Sequence, residues 1–267
     1  MSYSSKNLST QPIVLSISGH DPTGGAGIQA DSEVLTHFDC HPCSIITCLT
    51  VQDSSTVYRL IPLEADDIIE QAKALFNDMP IDVIKIGLTG SINVVNAIVG
   101  IIKSHPNVPV VFDPVLACGD GTPLANTELI NEIKNKLLPL TTVLTPNTIE
   151  AAQLSGLQDN SDPEQLGRAL LNQGVDNVLV TGGHASGSVI HNHLFGHNEK
   201  TATYEWKRQA GDFHGTGCTL ASAIAALMAK GLSIPDAVES AQKYVNTAIE
   251  QARQFGKGQH FPNHIQK

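Results

Sequence analysis

His214-Gly215-Thr216-Gly217-Cys218-Thr219 runs without a break into Leu220-Ala221-Ser222-Ala223-Ile224-Ala225-Ala226-Leu227-Met228-Ala229, small and apolar residues that read as a buried helix. Glycines ahead of such a helix let several backbone N–H groups converge beyond its N-terminus, where the helix dipole is positive. That arrangement suits an anion, phosphate above all. Cys218 falls in the first turn, where the same field lowers a thiol from its usual pKa of about 8.5. The plain alternative is a Gly-rich turn packed on the core with an inert cysteine, and spacing alone leaves both open.

Working back along the chain, Ile13-Val14-Leu15-Ser16-Ile17 reads as a buried strand. It ends in the turn-rich loop Ser18-Gly19-His20-Asp21-Pro22-Thr23-Gly24-Gly25-Ala26-Gly27. A helix over 28–38 follows, then a core strand over 43–51 and a flanking strand over 56–62. The stretch 65–77 is an amphipathic helix with Ile68, Ile69, Ala72, Leu75 and Phe76 on one side. Further strands are expected over 83–86, 108–112, 143–145 and 178–181, with helices over 92–103, 128–138, 147–155 and 163–172. Strands over 188–195 and 203–207 form an antiparallel edge, and a last helix runs from 235 to about 255.

Strands alternating with helices mean βαβ units: an α/β fold with a mostly parallel sheet and helices on both faces. With no repeat, low-complexity tract or linker, one domain over 12–256 is expected, between tails over 1–11 and 257–267. Such sheets bind ligands outside the carboxyl ends of their strands. Gly19, Asp21, Gln52, Gly87, Asp113, Asn147, Gly182 and His214 each follow a strand or enter a helix, so they are expected to line one rim.

The chain has 267 residues, 41% of them hydrophobic, and a formal net charge of −10 from 16 basic and 26 acidic side chains. That balance argues against a nucleic-acid partner, which needs a basic face. Backbone amides can still bind phosphate on an acidic protein. Residues 1–11 are polar without the apolar core of a signal peptide, and no apolar run is long enough to span a bilayer. The cytosol is the expected location. Five cysteines spread through the chain fit reduced thiols better than a disulfide framework.

Each chemical motif has a structural alternative. Gly25-x-Gly27-x-x-Ala30 matches the dinucleotide fingerprint formally, but several residues separate it from the strand end near Ile17. A loop closing over a small ligand is the better reading. Asp113 and Glu150, at the ends of neighbouring strands, suit Mg²⁺, which takes one or two carboxylates plus substrate phosphates. Alternatively, Asp113 is a turn acid and Asn147-x-x-Glu150 a capping box. Cys40-x-x-Cys43 follows a helix and precedes a strand, the wrong order for a redox site, so structural thiols are expected. His184, His191, His193 and His197 lack metal-ligand spacing. Lys85, inside an apolar strand, must reach a polar partner or solvent.

Together these residues resemble the hydroxymethylpyrimidine kinase / phosphomethylpyrimidine kinase family of thiamin biosynthesis, within the ribokinase-like superfamily. Six motifs in order carry the resemblance, from about residue 13 to about residue 250. They are Ser18-Gly19-His20-Asp21 with Gly24-Gly25-Ala26-Gly27-Ile28-Gln29-Ala30-Asp31; Ile46-Thr47-Cys48-Leu49-Thr50-Val51-Gln52; Ile84-Lys85-Ile86-Gly87-Leu88; Val111-Phe112-Asp113-Pro114-Val115; Leu144-Thr145-Pro146-Asn147-Thr148-Ile149-Glu150; and His214 to Leu220. Sugar kinases of the superfamily look like they carry Asp where Cys218 stands.

The resemblance implies a ribokinase-like fold, often a homodimer, and transfer of phosphate from ATP with Mg²⁺. The acceptor it implies is 4-amino-5-hydroxymethyl-2-methylpyrimidine, then its monophosphate. It assigns the pyrimidine to Gln52, Asp21 and the backbone around Gly19 and Val115, with Leu88 on the ring where the family usually has Met. Asp113 and Glu150 would serve the metal, and Asn147, Thr181, Gly182 and Gly183 the donor phosphates. Gly215, Thr216 and Gly217 would form the anion hole, with Cys218 the candidate base. Pyridoxal kinase is the rival within the superfamily, and a non-catalytic pyrimidine-binding relative the rival outside catalysis. Besides Leu88, two further stretches depart from the pattern. Thr181 stands where the family usually has Lys, and Leu116-Ala117-Cys118-Gly119-Asp120-Gly121 lacks the usual basic residue. With no Lys or Arg over 182–188 or 119–122, Mg²⁺ and the 215–218 amides are expected to meet the phosphate charge.

Overall fold

The structure is a computed structural model that describes residues 11–119, 121–183, 187–197 and 202–266. The expected N-terminal tail, but for Gln11, lies outside the described residues, as do His184 and Asp120.

The core is a nine-stranded sheet in the order β3-β2-β1-β4-β5-β6-β7-β8-β9. β1 (Ile13–His20), β2 (His41–Gln52), β4 (Val83–Ile86), β5 (Val110–Phe112), β6 (Val143–Leu144) and β7 (Asn177–Val180) run parallel. Antiparallel strands flank them: β3 (Val57–Pro62) on one edge, β8 (Val189–Gly196) and β9 (Ala202–Lys207) on the other. Side chains alternate across each parallel strand. Leu15, Ile17, Ile84, Ile86 and Phe112 face α2 (Ala65–Asp78), α3 (Ile92–Ser104), α4 (Thr127–Glu132), α5 (Thr148–Ser155) and α6 (Pro163–Leu171). Val14, Val83, Val111, Val143 and Leu179 face α1 (Gly27–His37), α7 (Thr216–Ala229) and α8 (Ile234–Glu250). Both faces are therefore buried, as continuous apolar strands require.

Several boundaries differ from expectation. β1 runs three residues past Ile17, because Ser18 and His20 pair with β2 as it extends toward Gln52. The helix expected over 128–138 is α4 followed by a π-helical turn, Ile133–Leu137, and a 3₁₀ turn, Leu138–Leu140. Pro139 has no N–H to continue the ladder. α8 stops at Glu250 rather than near 255, and Arg253 exchanges backbone hydrogen bonds with Phe261 at 2.9 and 2.8 Å. The 257–266 segment thus packs back on the domain, with Phe261 and His264 buried.

The order places β1 between β2 and β4, and the chain leaves those two central strands in opposite directions. A crevice opens at the carboxyl ends of β1 and β4, where such sheets bind ligands.

Candidate active site

A cavity of about 1010 Å³ lies along this carboxyl edge. Gly19, Asp21, Gln52, Leu88, Asp113, Val115, Asn147, Glu150, Thr181, Gly183, His214 and the 215–218 turn all line it. Gly87 and Gly182 of the expected rim do not.

Gly19 lies under Leu88, and a Cβ on it would come within 3.2 Å of the Leu88 side chain and 3.1 Å of Cys48 Sγ. Asp21 spends its carboxylate on the loop. Its Oδ1 accepts from Thr23 N at 2.8 Å, and its Oδ2 accepts from Ala26 N at 2.9 Å and meets His214 Nε2 at 2.7 Å. Burial pushes the Asp21 pKa up, but His214 and Thr23 outweigh it and leave the pKa lowered. Asp21 therefore builds the wall that joins the first loop to the last motif. Gln52 Nε2 lies 3.5 Å from the same His214 nitrogen.

The turn before α7 is forced by close backbone approach. Gly215 has φ +74°, and a Cβ there would lie 1.9 Å from the Gly25 carbonyl. The amides of Thr216, Gly217 and Cys218 form the first helical turn and have no intrahelical acceptor, so they are available to an anion. Asp113 faces them: a Cβ on Gly217 would be 3.5 Å from its Oδ1. Asp113 is 4% exposed and its Oδ2 has no hydrogen-bond partner. Burial raises its pKa to about 6, with Lys85 and the Cys218 thiol opposing.

The thiol departs from expectation. Burial pushes the Cys218 pKa well above its ordinary value, and Asp113 and Asp31 add to the rise, while Lys85 and the Gly27 amide oppose it. The helix field does not prevail, because nearby carboxylates and lost solvation both disfavour a thiolate.

Asn147 and Glu150 form the capping box of α5. Asn147 Oδ1 accepts from Glu150 N, and Glu150 Oε2 accepts from Asn147 N, each at 2.9 Å. The same carboxylate lines the cavity, and burial followed by the charge of Asp113 raises its pKa to about 8. Thr181 donates its N–H to the Pro146 carbonyl at 2.9 Å. Gly182 is turned away: its N–H donates to Asn192 Oδ1 at 2.9 Å, and the His191 carbonyl occupies the space a Cβ would need.

Several cavity residues carry no sequence signal, because pairing of distant strands brings them in. Arg208, just past β9, donates from Nη1 to the Gly183 carbonyl at 2.6 Å and from Nε to the Gly187 carbonyl at 2.8 Å. It and Lys207 are the lysine and arginine side chains lining the cavity among the described residues. Trp206, Val245 and Ile249 give the same end an apolar wall. Lys85 finds its partner within the core, with Nζ 2.8 Å from both Asp31 oxygens, which also accept from Ser16 and Ser222.

Cys40 and Cys43 do not form a pair. Cys40 packs on the α7 face and Cys43 on the α2 face, both as free thiols. Among the described residues no group of His, Cys, Asp and Glu has the composition of a multi-ligand metal site, and no helix is long and apolar enough to cross a membrane.

The sequence profile of the family described as phosphomethylpyrimidine kinase matches residues 21–264. The hydroxymethylpyrimidine/phosphomethylpyrimidine kinase of Staphylococcus aureus is 32% identical over 257 residues, 95% of this chain and 93% of that one. The phosphomethylpyrimidine kinase structure from Clostridium difficile superposes with a TM-score of 0.79 at 31% identity, over 90% of this chain and all of that one. The ADP complex of Bacillus subtilis pyridoxal kinase gives 0.89 at 26% identity, covering 96% and 98%. The fold is thus ribokinase-like, and the chain belongs to the phosphomethylpyrimidine kinase family.

Proposed function

We propose that this kinase transfers the γ-phosphoryl group of ATP to the hydroxyl of 4-amino-5-hydroxymethyl-2-methylpyrimidine, and then phosphorylates the monophosphate. The observation that carries this reading is the α7 amide turn facing the unpartnered Asp113 oxygen, between an amide-lined end at Gln52 and a cationic end at Arg208. The Gln52 amide matches the donor and acceptor edge of an aminopyrimidine. The Thr216–Cys218 amides stabilise the charge that develops on the transferring phosphoryl oxygens.

Cys218 and Asp113 handle the acceptor proton as a unit. Asp113 is ionised above about pH 6. The thiol takes the hydroxyl proton while passing its own to the carboxylate, so no free thiolate accumulates. Asp113 Oδ2, buried and without a partner, fits a divalent cation, and Glu150 would supply a second carboxylate once the cation displaces the proton it otherwise holds up to about pH 8. Mg²⁺ held there would neutralise phosphate charge. A cytoplasmic homodimer completes the reading, supported by family resemblance alone, and light scattering and cell fractionation test it.

The deciding experiment couples ADP release to absorbance with hydroxymethylpyrimidine, its monophosphate and pyridoxal as acceptors. The expected result is a kcat/KM for both pyrimidines above that for pyridoxal. The reverse order assigns the site to pyridoxal, and turnover that survives chelation of Mg²⁺ removes the metal.

A further inference from the structure

The segment after α8 is built into the cavity wall. Gly258 N–H donates to Ser54 Oγ at 3.0 Å, and Gln259 N–H donates to the Ser54 carbonyl at 2.9 Å. His260 N–H donates to the Asp212 carbonyl at 2.8 Å, and His214 N–H donates to the His260 carbonyl at 2.9 Å. Phe261 meets the His214 ring edge-on with centroids 5.7 Å apart. His264, buried, bridges Thr219 Oγ1 at 3.1 Å and Glu33 Oε2 at 3.0 Å. Residues 258–264 are thus tied to the loop that follows Gln52 and to the motif that carries Cys218.

Out of this anchored backbone the Gln259 side chain reaches the cavity. It meets the loop that follows Val115, since a Cβ on Gly119 would lie 2.7 Å from its Nε2 and 3.0 Å from its Oε1. Gln259 is half-buried. Its side-chain amide makes no hydrogen bond among the described residues, although its backbone is engaged. A primary amide has two donors and an acceptor to satisfy, and a bound ligand that leaves them unpaired loses affinity.

We propose that Gln259 is a specificity-determining residue for the acceptor: its backbone N–H is held by the Ser54 carbonyl, and its side-chain amide, lying against Gly119, hydrogen-bonds a polar edge of the bound pyrimidine. The inference rests on the reading of this end as the pyrimidine site. Of the described residues after α8, Gln259 is the one that lines the cavity.

Gln259→Leu removes both donors and the acceptor at nearly constant size. Steady-state kinetics are expected to show KM for hydroxymethylpyrimidine raised about tenfold, the worth of one neutral hydrogen bond. Both kcat and KM for ATP stay within about twofold, because the change removes only ground-state binding of one substrate. Calorimetric titration of the pyrimidine into Gln259→Asn, whose shorter amide cannot reach as far, is expected to weaken in the same direction. An unchanged pyrimidine KM in the leucine variant overturns the proposal, as does an equal rise in both KM values, which makes Gln259 a wall residue only. A wild-type enzyme that turns over pyridoxal but not the pyrimidine overturns the acceptor reading and this inference with it. A wild-type enzyme active on the pyrimidine, with variants that bind it unchanged, overturns this inference alone.

Discussion

Cys218 stands where two fields oppose. The α7 N-terminus favours a thiolate, but burial among Asp113 and Asp31 favours the thiol and prevails. A resident thiolate base is therefore replaced by a thiol–carboxylate pair whose ionised member at neutral pH is Asp113. Serine at this position keeps the size but releases its proton far less readily. Cys218→Ser is expected to lower turnover by about 10²–10⁴-fold, the usual worth of general acid–base catalysis. Steady-state kinetics should leave both KM values near wild type. Near-wild-type turnover would mean that the α7 amides carry the reaction without Cys218.

The capping box of α5 ties a helix start to the site, and its acid titrates. The Glu150 pKa rises from 4.5 to about 8, through burial and then the charge of Asp113. Between those values the folded state holds a proton that the unfolded state has released. Stability therefore falls as pH rises from about 4.5 to about 8, and the loss is complete above that range. Gln at 150 can still form the box but cannot ionise. With Mg²⁺ chelated, the melting temperature of Glu150→Gln relative to wild type is expected to climb across this range. The gain by pH 8.5 should be at least about 3 °C, roughly 1 kcal/mol for a chain of this size. Thermal melts from pH 5 to 9 check it, and a difference constant with pH would assign the titration elsewhere.

Across the whole molecule the charge is −10, yet the cavity must accept a polyphosphate. The α7 turn offers amides rather than a full charge, and Thr181 offers only a hydroxyl. The cation arrives from the β8–β9 hairpin: Arg208 bonds the carbonyls of Gly183 and Gly187, beside Thr181. Arg208→Gln is expected to raise KM for ATP about tenfold and leave the pyrimidine KM unchanged, the cost of losing one charge near bound phosphate. Kinetics at fixed Mg²⁺ measure this. Equal change in both constants would show that Arg208 only shapes the loop, and would return the phosphate charge to Mg²⁺ and the amides.

The parallel α/β architecture and the start of α7 were legible in the sequence because both are written locally. Short apolar runs bounded by turn residues, such as the one over 14–17, read as strands buried on both faces. Glycines before an Ala-rich run read as the start of a helix with free amides, although spacing alone left a plain Gly-rich turn open. Most of the rim was legible for the same reason, since a residue that ends a strand or caps a helix lies at the sheet edge, but Gly87 and Gly182 do not line the cavity. The six motifs, spaced along the whole chain, also carried the family. Partnership was not legible, because it depends on which strands and helices become neighbours. Register and packing alone put Lys85 against Asp31, separated Cys40 from Cys43, and turned Gly182 from the cavity toward Asn192. Only the tertiary structure brought Arg208 beside Thr181 and folded the expected C-terminal tail into the wall that carries Gln259. Burial decided the Cys218 proton against its local sequence, since desolvation is a property of the assembled core and not of any six residues.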